Sequence, residues 1–281
     1  MPGTASAKKA SESEAKHAAA DGGGPHLQVR GVQKSFGDTQ VLTDVNMSIG
    51  RGHIAVIIGG SGAGKTTLLR ILIGLERPTA GSVEISGQDI AQLSDRELNS
   101  MRRKFGMVFQ YSALLDSMNV LDNVAFPMRE HTDLSEKEIK AQVTEKLNSL
   151  GLENVEKRYP SQLSGGMRKR VALARALMLE PEVIMYDEPT SGLDPVTSRM
   201  VDDMIVETRD KFGVTSVIIS HDMVGALQIA DEIYLLSKGS IVASGSPQEL
   251  VRGDNELLHQ FLQSSGVTAM PGAAEKLAKG D

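Results

Sequence analysis

An α/β domain built around a phosphate-binding loop is the fold class that this 281-residue sequence predicts, and three observations predict it. The stretch Gly59 to Thr67, GGSGAGKTT, fits G-x-x-x-x-G-K-[ST], with Gly59, Gly64, Lys65 and Thr66 in the fixed places. It is preceded by a short apolar run, Ile54 to Ile58, that reads as a buried strand, and followed by a helix start at Thr67 to Leu72. Two further short apolar runs, Val183 to Tyr186 and Ser216 to Ile219, end in residues that carry chemistry: Asp187 and Glu188 in one case, Ser220 and His221 in the other.

The loop pattern has a physical reason. Glycines let the backbone of Gly59, Gly60, Ser61, Gly62, Ala63 and Gly64 turn tightly enough to aim successive N–H groups at one phosphate, and the helix that follows adds its positive N-terminal end. Lys65 supplies a mobile positive charge for the β- and γ-phosphates, the Thr66 hydroxyl is placed to ligate Mg²⁺, and Thr67 completes the loop.

Composition bounds the rest. A hydrophobic fraction of 40% suits a packed core, and a net charge of −6 argues against a dedicated nucleic-acid binder. The absence of cysteine removes disulfides and thiolate metal sites. No apolar run approaches the roughly 20 residues that a membrane-spanning helix needs. Residues 1–25 are rich in Ala, Ser, Gly and Lys, lack an apolar signal core and read as a disordered tail, with His17 incidental; residues 265–281 read as a second flexible tail. One domain, 26–264, lies between them.

Along that domain, Leu27 to Val32 and Val41 to Ile49 alternate as strands do, around a turn at Gly37 and Asp38. Phe36, just before the turn, is either a core residue or a flat surface for a base to stack on. Ser82 to Ile85 is a strand, and Ser94 with Glu97 forms a capping box for a helix to about Arg103. Phe105 to Phe109 is apolar and ends at Gln110, a surface residue or a side-chain carbonyl for Mg²⁺ or the attacking water. Asn119 to Arg129 reads as a helix. A second capping box, Ser135 with Glu138, opens an amphipathic helix with Ile139, Val143, Leu147 and Leu150 on one stripe. These make a mostly helical insertion in a nucleotide-binding sheet.

Leu163-Ser164-Gly165-Gly166-Met167 then precedes a helix expected from Arg168 to Leu179, with Val171, Ala174, Leu177 and Met178 on one face. Ser164 is a good N-cap, and the two glycines expose N–H groups at the helix's positive end, a second anion site. At the end of Val183 to Tyr186, Asp187 holds Mg²⁺ directly or through water and Glu188 polarises the attacking water. A helix from Pro195 to about Asp210 follows. His221, at the next strand end, donates to a γ-phosphate, whereas His53, His131 and His259 do surface or packing work. Strands at Ile233 to Leu236 and Ser240 to Ala243, a capping box at Ser246 and Glu249, and a last helix near Glu256 to Leu262 complete the chain.

In this order the motifs resemble the ATP-binding subunit of an ABC transporter over almost all of residues 27 to 263. The correspondence gives Phe36 as the A-loop aromatic, Gly59 to Thr67 as Walker A, Gln110 as the Q-loop, Leu163 to Met167 as the signature, Val183 to Glu188 as Walker B, Ser191 to Asp194 as the D-loop and His221 as the switch histidine. Three positions depart from the common pattern: Met167 stands where Gln is usual, Gly60 where Pro is frequent and Phe36 where Tyr is usual. The resemblance implies a P-loop NTPase with a RecA-like core, an antiparallel β subdomain and a helical subdomain at about 111–180. It also implies ATP and Mg²⁺ as cofactors, and a head-to-tail homodimer in which Ser164, Gly165, Gly166 and Met167 of one copy meet the nucleotide of the other.

Met167 with Arg168-Lys169-Arg170, and the run QYSALLDSMNVLDNVAFPMREHT from Gln110 to Thr132, resemble the ATPases of Mla and Mce lipid-transport systems. That resemblance implies an MlaE-type permease, an MCE substrate-binding protein, a phospholipid or other hydrophobic cargo, and a place on the cytoplasmic face of the inner membrane, with room for a small regulatory subunit. A ribosome- or DNA-associated ATPase of the same superfamily resembles tandem domains or one domain split by a coiled coil, which this chain lacks; an importer ATPase for a small polar solute such as an amino acid differs only in its partner.

Overall fold

The computed structural model describes residues 24–252. Its strands are β1 (Leu27–Phe36), β2 (Thr39–Ile49), β3 (Ile54–Ile58), β4 (Ala80–Ile85), β5 (Gln88–Asp89), β6 (Phe105–Val108), β7 (Val183–Asp187), β8 (Thr215–Ser220), β9 (Glu232–Ser237) and β10 (Ser240–Gly245). Its helices are α1 (Lys65–Leu72), α2 (Asp95–Arg102), α3 (Val120–His131), α4 (Glu136–Ser149), α5 (Gly165–Ala176), α6 (Pro195–Phe212), α7 (Met223–Ile229) and α8 (Pro247–Arg252).

The strands form one sheet in the order β5-β4-β1-β2-β10-β9-β3-β8-β7-β6. From β9 to β6 every neighbouring pair is parallel. The β1, β2, β4 and β5 end is antiparallel, and β10 joins the halves, parallel to β2 and antiparallel to β9. Strand chemistry explains the division. All residues of β3 and β8 are buried, as parallel strands covered on both faces must be, whereas β1 and β2 mix buried and exposed positions.

The two-residue period of a strand distributes the parallel core to two sides. Ala55 and Ile57 pack with Leu68, Ile71 and Leu72 of α1, while Ile54, Val56 and Ile58 pack with Leu173 of α5 and Met204 and Ile205 of α6. Each large aliphatic side chain so buried contributes about 1.5–3 kcal/mol, so the strand that leads into Gly59 is firmly anchored. A third cluster joins α3, α4 and α5 through Val124, Met128, Ile139, Val143, Leu147 and Val171.

At the opposite end of the strands a polar group ties the two sheet regions together. The His26 Nδ1 lies 2.6 Å from Thr215 Oγ1 and its Nε2 3.1 Å from Glu182 Oε2, and Lys104 approaches Glu182 at 2.8 Å. Burial lowers the pKa of His26, and Lys104 first among its partners holds the Glu182 carboxyl down to about 2.

Several elements differ from their sequence-derived limits. β1 continues to Phe36 because its ladder with β2 runs on through bulges to Phe36 and Thr39. Helix α5 begins at Gly165 and ends at Ala176, three residues earlier at each end, because Ser164 Oγ accepts from Met167 N and so fixes the first turn. Leu177 and Met178 are buried nonetheless, just past the helix end. Helix α6 runs two residues longer, to a left-handed Gly213. All three capping boxes form: Ser94–Glu97, Ser135–Glu138 and Ser246–Glu249. The expected helix at Glu256 to Leu262, the tail 265–281, His17, His259 and all but the last two residues of the tail 1–25 lie outside the described residues.

Candidate functional site

The C-terminal ends of β3, β6, β7 and β8 lie side by side in the sheet, and the residues that follow them form one site. Ligands of open α/β sheets bind outside the carboxyl ends of the strands, so the position itself is informative.

The loop after β3 is shaped by close approach. A Cβ on Gly59 would stand 2.3 Å from Leu236 O, and one on Gly64, where φ is +106°, would stand 2.7 Å from Leu42 Cδ2. Neither position admits a side chain. Gly64 is the N-cap of α1, and the first turn holds no acidic residue to offset the helix's positive end. Helix α1 opens two residues earlier than the sequence suggests, so Lys65 and Thr66 sit in that first turn. Lys65 Nζ folds back over the loop, donating to Gly59 O at 2.7 Å and Gly60 O at 3.2 Å, and stands 3.9 Å from Glu188 Oε1.

Glu188 is the most constrained residue of the site. Its φ is +48°, a left-handed conformation that costs a non-glycine residue about 1–3 kcal/mol, and it is held by the bond from its N–H to Ile219 O at 2.9 Å. Its Oε2 lies 2.6 Å from His221 Nδ1. Asp187, beside it, has its carboxyl raised by burial and then by Glu188, with Lys65 and Arg70 opposing. Gln110 donates its amide N–H groups to Ser191 Oγ at 3.1 Å and Tyr111 OH at 3.3 Å. Lys65, Asp187, Glu188 and His221 are thus one electrostatic group, and Gln110 joins the segment that follows Glu188 through Ser191.

The remaining sequence candidates stand apart from that group. Ser164 is exposed and bonds Met167 N of its own helix at 3.3 Å; Gly165 and Gly166 are exposed too, and Met167 packs on the helical cluster. Asp194 caps α6, accepting from Val196 N and Thr197 N at 3.0 Å. Phe36 is half exposed, with Lys34 Nζ 4.7 Å from its ring centroid.

The donor set suits Mg²⁺. The Thr66 hydroxyl, the Asp187 carboxylate and the Gln110 side-chain oxygen take no hydrogen bond from the described residues, which leaves these hard-oxygen groups, each following or opening an element at the strand ends, without a competing partner. Among the described residues no cluster of three or more His, Cys, Asp or Glu could hold a metal. Sparse protein ligation fits an ion that keeps waters and phosphate oxygens in its shell.

The family model for the ABC transporter matches residues 42–191, more than half of the chain. The chain belongs to the ABC transporter family. This ABC ATPase is similar to the "intermembrane phospholipid transport system ATP-binding protein MlaF" of Escherichia coli K12, 42% identical over 236 residues that cover 84% of this chain and 88% of the relative. It is also similar to the "probable ribonucleotide transport ATP-binding protein mkl" of Mycobacterium leprae, 41% identical over 253 residues, 90% of this chain and 73% of the relative. Among solved structures, cbiO1 from Clostridium perfringens, part of the ABC transporter complex cbiONQ, aligns over 92% of this chain and all of its own with a TM-score of 0.77 and 28% identity. A dimeric ATP-binding cassette, MJ0796, in a post-hydrolysis state bound to ADP and Pi, aligns over 79% of this chain and 98% of its own with a TM-score of 0.69 and 33% identity. The ABC ATPase therefore binds ATP and couples its hydrolysis to transport.

One carboxylate near the site escaped the sequence reading. Asp202 of α6 is 6% exposed and takes no hydrogen bond from the described residues; a Cβ on Gly225 would lie 2.9 Å from its Oδ2 and 3.1 Å from Asp222 Oδ2. Burial first, then Asp222, pushes the Asp202 carboxyl up to about 6, with Asp203 adding and Arg199 opposing. The unfolded chain ionises near 3.8, so the folded chain binds the extra proton between these values and loses stability as pH rises from about 4 through about 6. Asp202→Asn removes that loss. Its urea midpoint is expected to exceed the wild-type value by an amount that grows between pH 4 and pH 7.5 to about 3 kcal/mol in unfolding free energy. A difference that does not change with pH contradicts the assignment.

Proposed function

We propose that this ABC ATPase works as a head-to-tail homodimer that holds two ATP molecules at its seam and powers transport of phospholipid or another hydrophobic cargo between bacterial membranes. The observation that carries the shared-seam reading is the separation of two helix starts within one chain: the loop at Gly59 to Thr67 packs with the sheet cluster, whereas exposed Ser164, followed by two glycines, opens a helix of the helical cluster, and no hydrogen bond among the described residues joins the two. Two copies related by a two-fold axis bring each to the other's nucleotide, and the relative solved as a dimer with ADP and Pi supports that arrangement.

In this reading Gly59, Gly60, Ser61, Gly62, Ala63, Gly64 and Thr67 cradle the phosphates, and Lys65 leaves the Gly59 and Gly60 carbonyls to meet the β- and γ-phosphates. Thr66, Asp187 and Gln110 would hold Mg²⁺, which would supply neutralisation of phosphate charge. Glu188 takes up the proton of the attacking water, His221 holds Glu188 and the γ-phosphate in register, and Phe36 stacks on the adenine. Ser164, Gly165, Gly166 and Met167 close the site from the other copy, with Asp194 placing the D-loop between.

The cargo assignment rests on the relatives named for phospholipid transport. The relatives named mkl favour a ribonucleotide as the competing cargo. Exposed Phe109, Tyr111, Leu115 and Phe126, with Tyr111 84% exposed, give the region from the Q-loop into the helices an apolar face for a permease on the cytoplasmic side of the inner membrane. Affinity purification from membranes is expected to bring down a multi-span permease and an MCE protein, with phospholipid in the organic extract. Co-isolation with ribosomes or DNA, or a complex carrying ribonucleotide and no lipid, contradicts the proposal.

A further inference from the structure

Helix α5 carries two cations inward. Lys169 is 6% exposed, and its Nζ donates to Gln110 O at 3.1 Å. One turn and a half further on, half-buried Arg175 donates from Nη1 to Ala113 O at 2.7 Å and from Nη2 to Ser112 O at 3.0 Å. Neither cation has a carboxylate partner among the described residues, and burial lowers the pKa of both. A desolvated charge without a counter-charge opposes folding, so core packing does not account for the pair.

The carbonyls they hold belong to one short stretch, and that stretch is strained. Ser112 and Ala113 have φ of +64° and +46°, each in the left-handed region that non-glycine residues avoid. Such a conformation persists only where its surroundings over-determine it. Asn123, almost fully buried, fixes the next piece by accepting from Leu115 N and donating to the carbonyls of Leu115 and Met118. The segment after Gln110 is thereby fastened to the helix whose first residues follow Ser164.

We propose that Lys169 and Arg175 are positioning residues that tie the Gln110 loop to helix α5, so that Gln110 at one nucleotide and Ser164 at the other move as a single body. The inference rests on the shared-seam reading above. Neither side chain touches nucleotide; each acts through backbone carbonyls, and through them on where the Gln110 side chain sits relative to the metal and the water.

The test uses the full chain with Lys169→Met, Arg175→Met and Arg175→Lys. Lys169→Met removes an unpaired buried charge at nearly constant volume, so its melting temperature is expected to equal or exceed the wild-type value. Its kcat is expected to fall by about 10- to 100-fold. The Mg²⁺ concentration for half-maximal turnover should rise while the Kd for ATP stays unchanged. Arg175→Met should behave likewise, and Arg175→Lys, which can reach one carbonyl rather than two, should fall between it and wild type. Wild-type kcat and Mg²⁺ dependence in Lys169→Met overturns the inference, as does loss of turnover accompanied by loss of ATP binding or of stability. Ser164→Arg is run alongside: if it still turns over, the shared-seam reading has failed, whereas a dead Ser164→Arg beside an unimpaired Lys169→Met isolates the failure to this inference.

Discussion

Glu188→Gln is expected to lower kcat by about 10²- to 10⁴-fold while ATP binding stays at the wild-type level. The substitution is nearly isosteric, so the expectation separates chemistry from folding. Glu188 is held in its left-handed conformation by a backbone bond to Ile219 O, which an amide side chain leaves intact. The glutamine oxygen can still accept from His221, so the strand-end group keeps its shape. What disappears is the capacity to take a proton from water. On the shared-seam proposal hydrolysis releases the closed state, so the variant with ATP should migrate as a stable dimer in size exclusion, and single-turnover assays should show bound ATP persisting. Turnover near the wild-type rate would assign water activation to another group.

Ser164→Arg is expected to abolish turnover and ATP-dependent dimerisation while leaving ATP binding to the separate chain intact. Within its own chain Ser164 does little beyond capping α5 through Met167 N, a contribution of about 1 kcal/mol that a folded domain of this size can lose. On the proposed shared seam, this exposed serine, followed by Gly165 and Gly166, would face an oxygen of the opposing nucleotide, and a guanidinium on a long stem would fill that space. Ser164→Ala provides the control: it loses the same cap without adding bulk, and its melting temperature should match that of Ser164→Arg while its turnover falls less. Wild-type turnover in both variants would mean that the serine is only a cap.

Much of this architecture was legible from local pattern. The uninterrupted apolar run Ile54 to Ile58 predicts a strand covered on both faces, the glycine-rich loop predicts a helix after it, placed at Thr67, two residues later than it starts, and three Ser-x-x-Glu boxes predict helix starts that the structure reproduces. Periodicity alone starts helix α5 at Arg168, three residues late, because it follows the apolar face, whereas the cap at Ser164 sets the first turn. The hidden part was long-range. Lys169 and Arg175 reach carbonyls 59 to 63 residues away in the chain, and in sequence they are two more basic residues in RKRVALAR. Their one local signal is position: Lys169 precedes the buried run Val171 to Ala174 of its helix, where a charge needs a specific acceptor. The left-handed φ of Glu188 and the burial of His26 and Asp202 likewise follow from neighbours that only the folded sheet assembles.

The central claim is that one functional site is made by two chains, and mixing two inactive variants tests it most directly. Lys65→Ala disables the phosphate loop and Ser164→Arg disables the opposing serine, so each alone should be inactive. In a mixed dimer the wild-type loop of one chain faces the wild-type serine of the other, and one intact site is predicted to restore hydrolysis that neither parent shows. A mixture that stays at the parental baseline, beside a Ser164→Arg chain that hydrolyses ATP by itself, would contradict it.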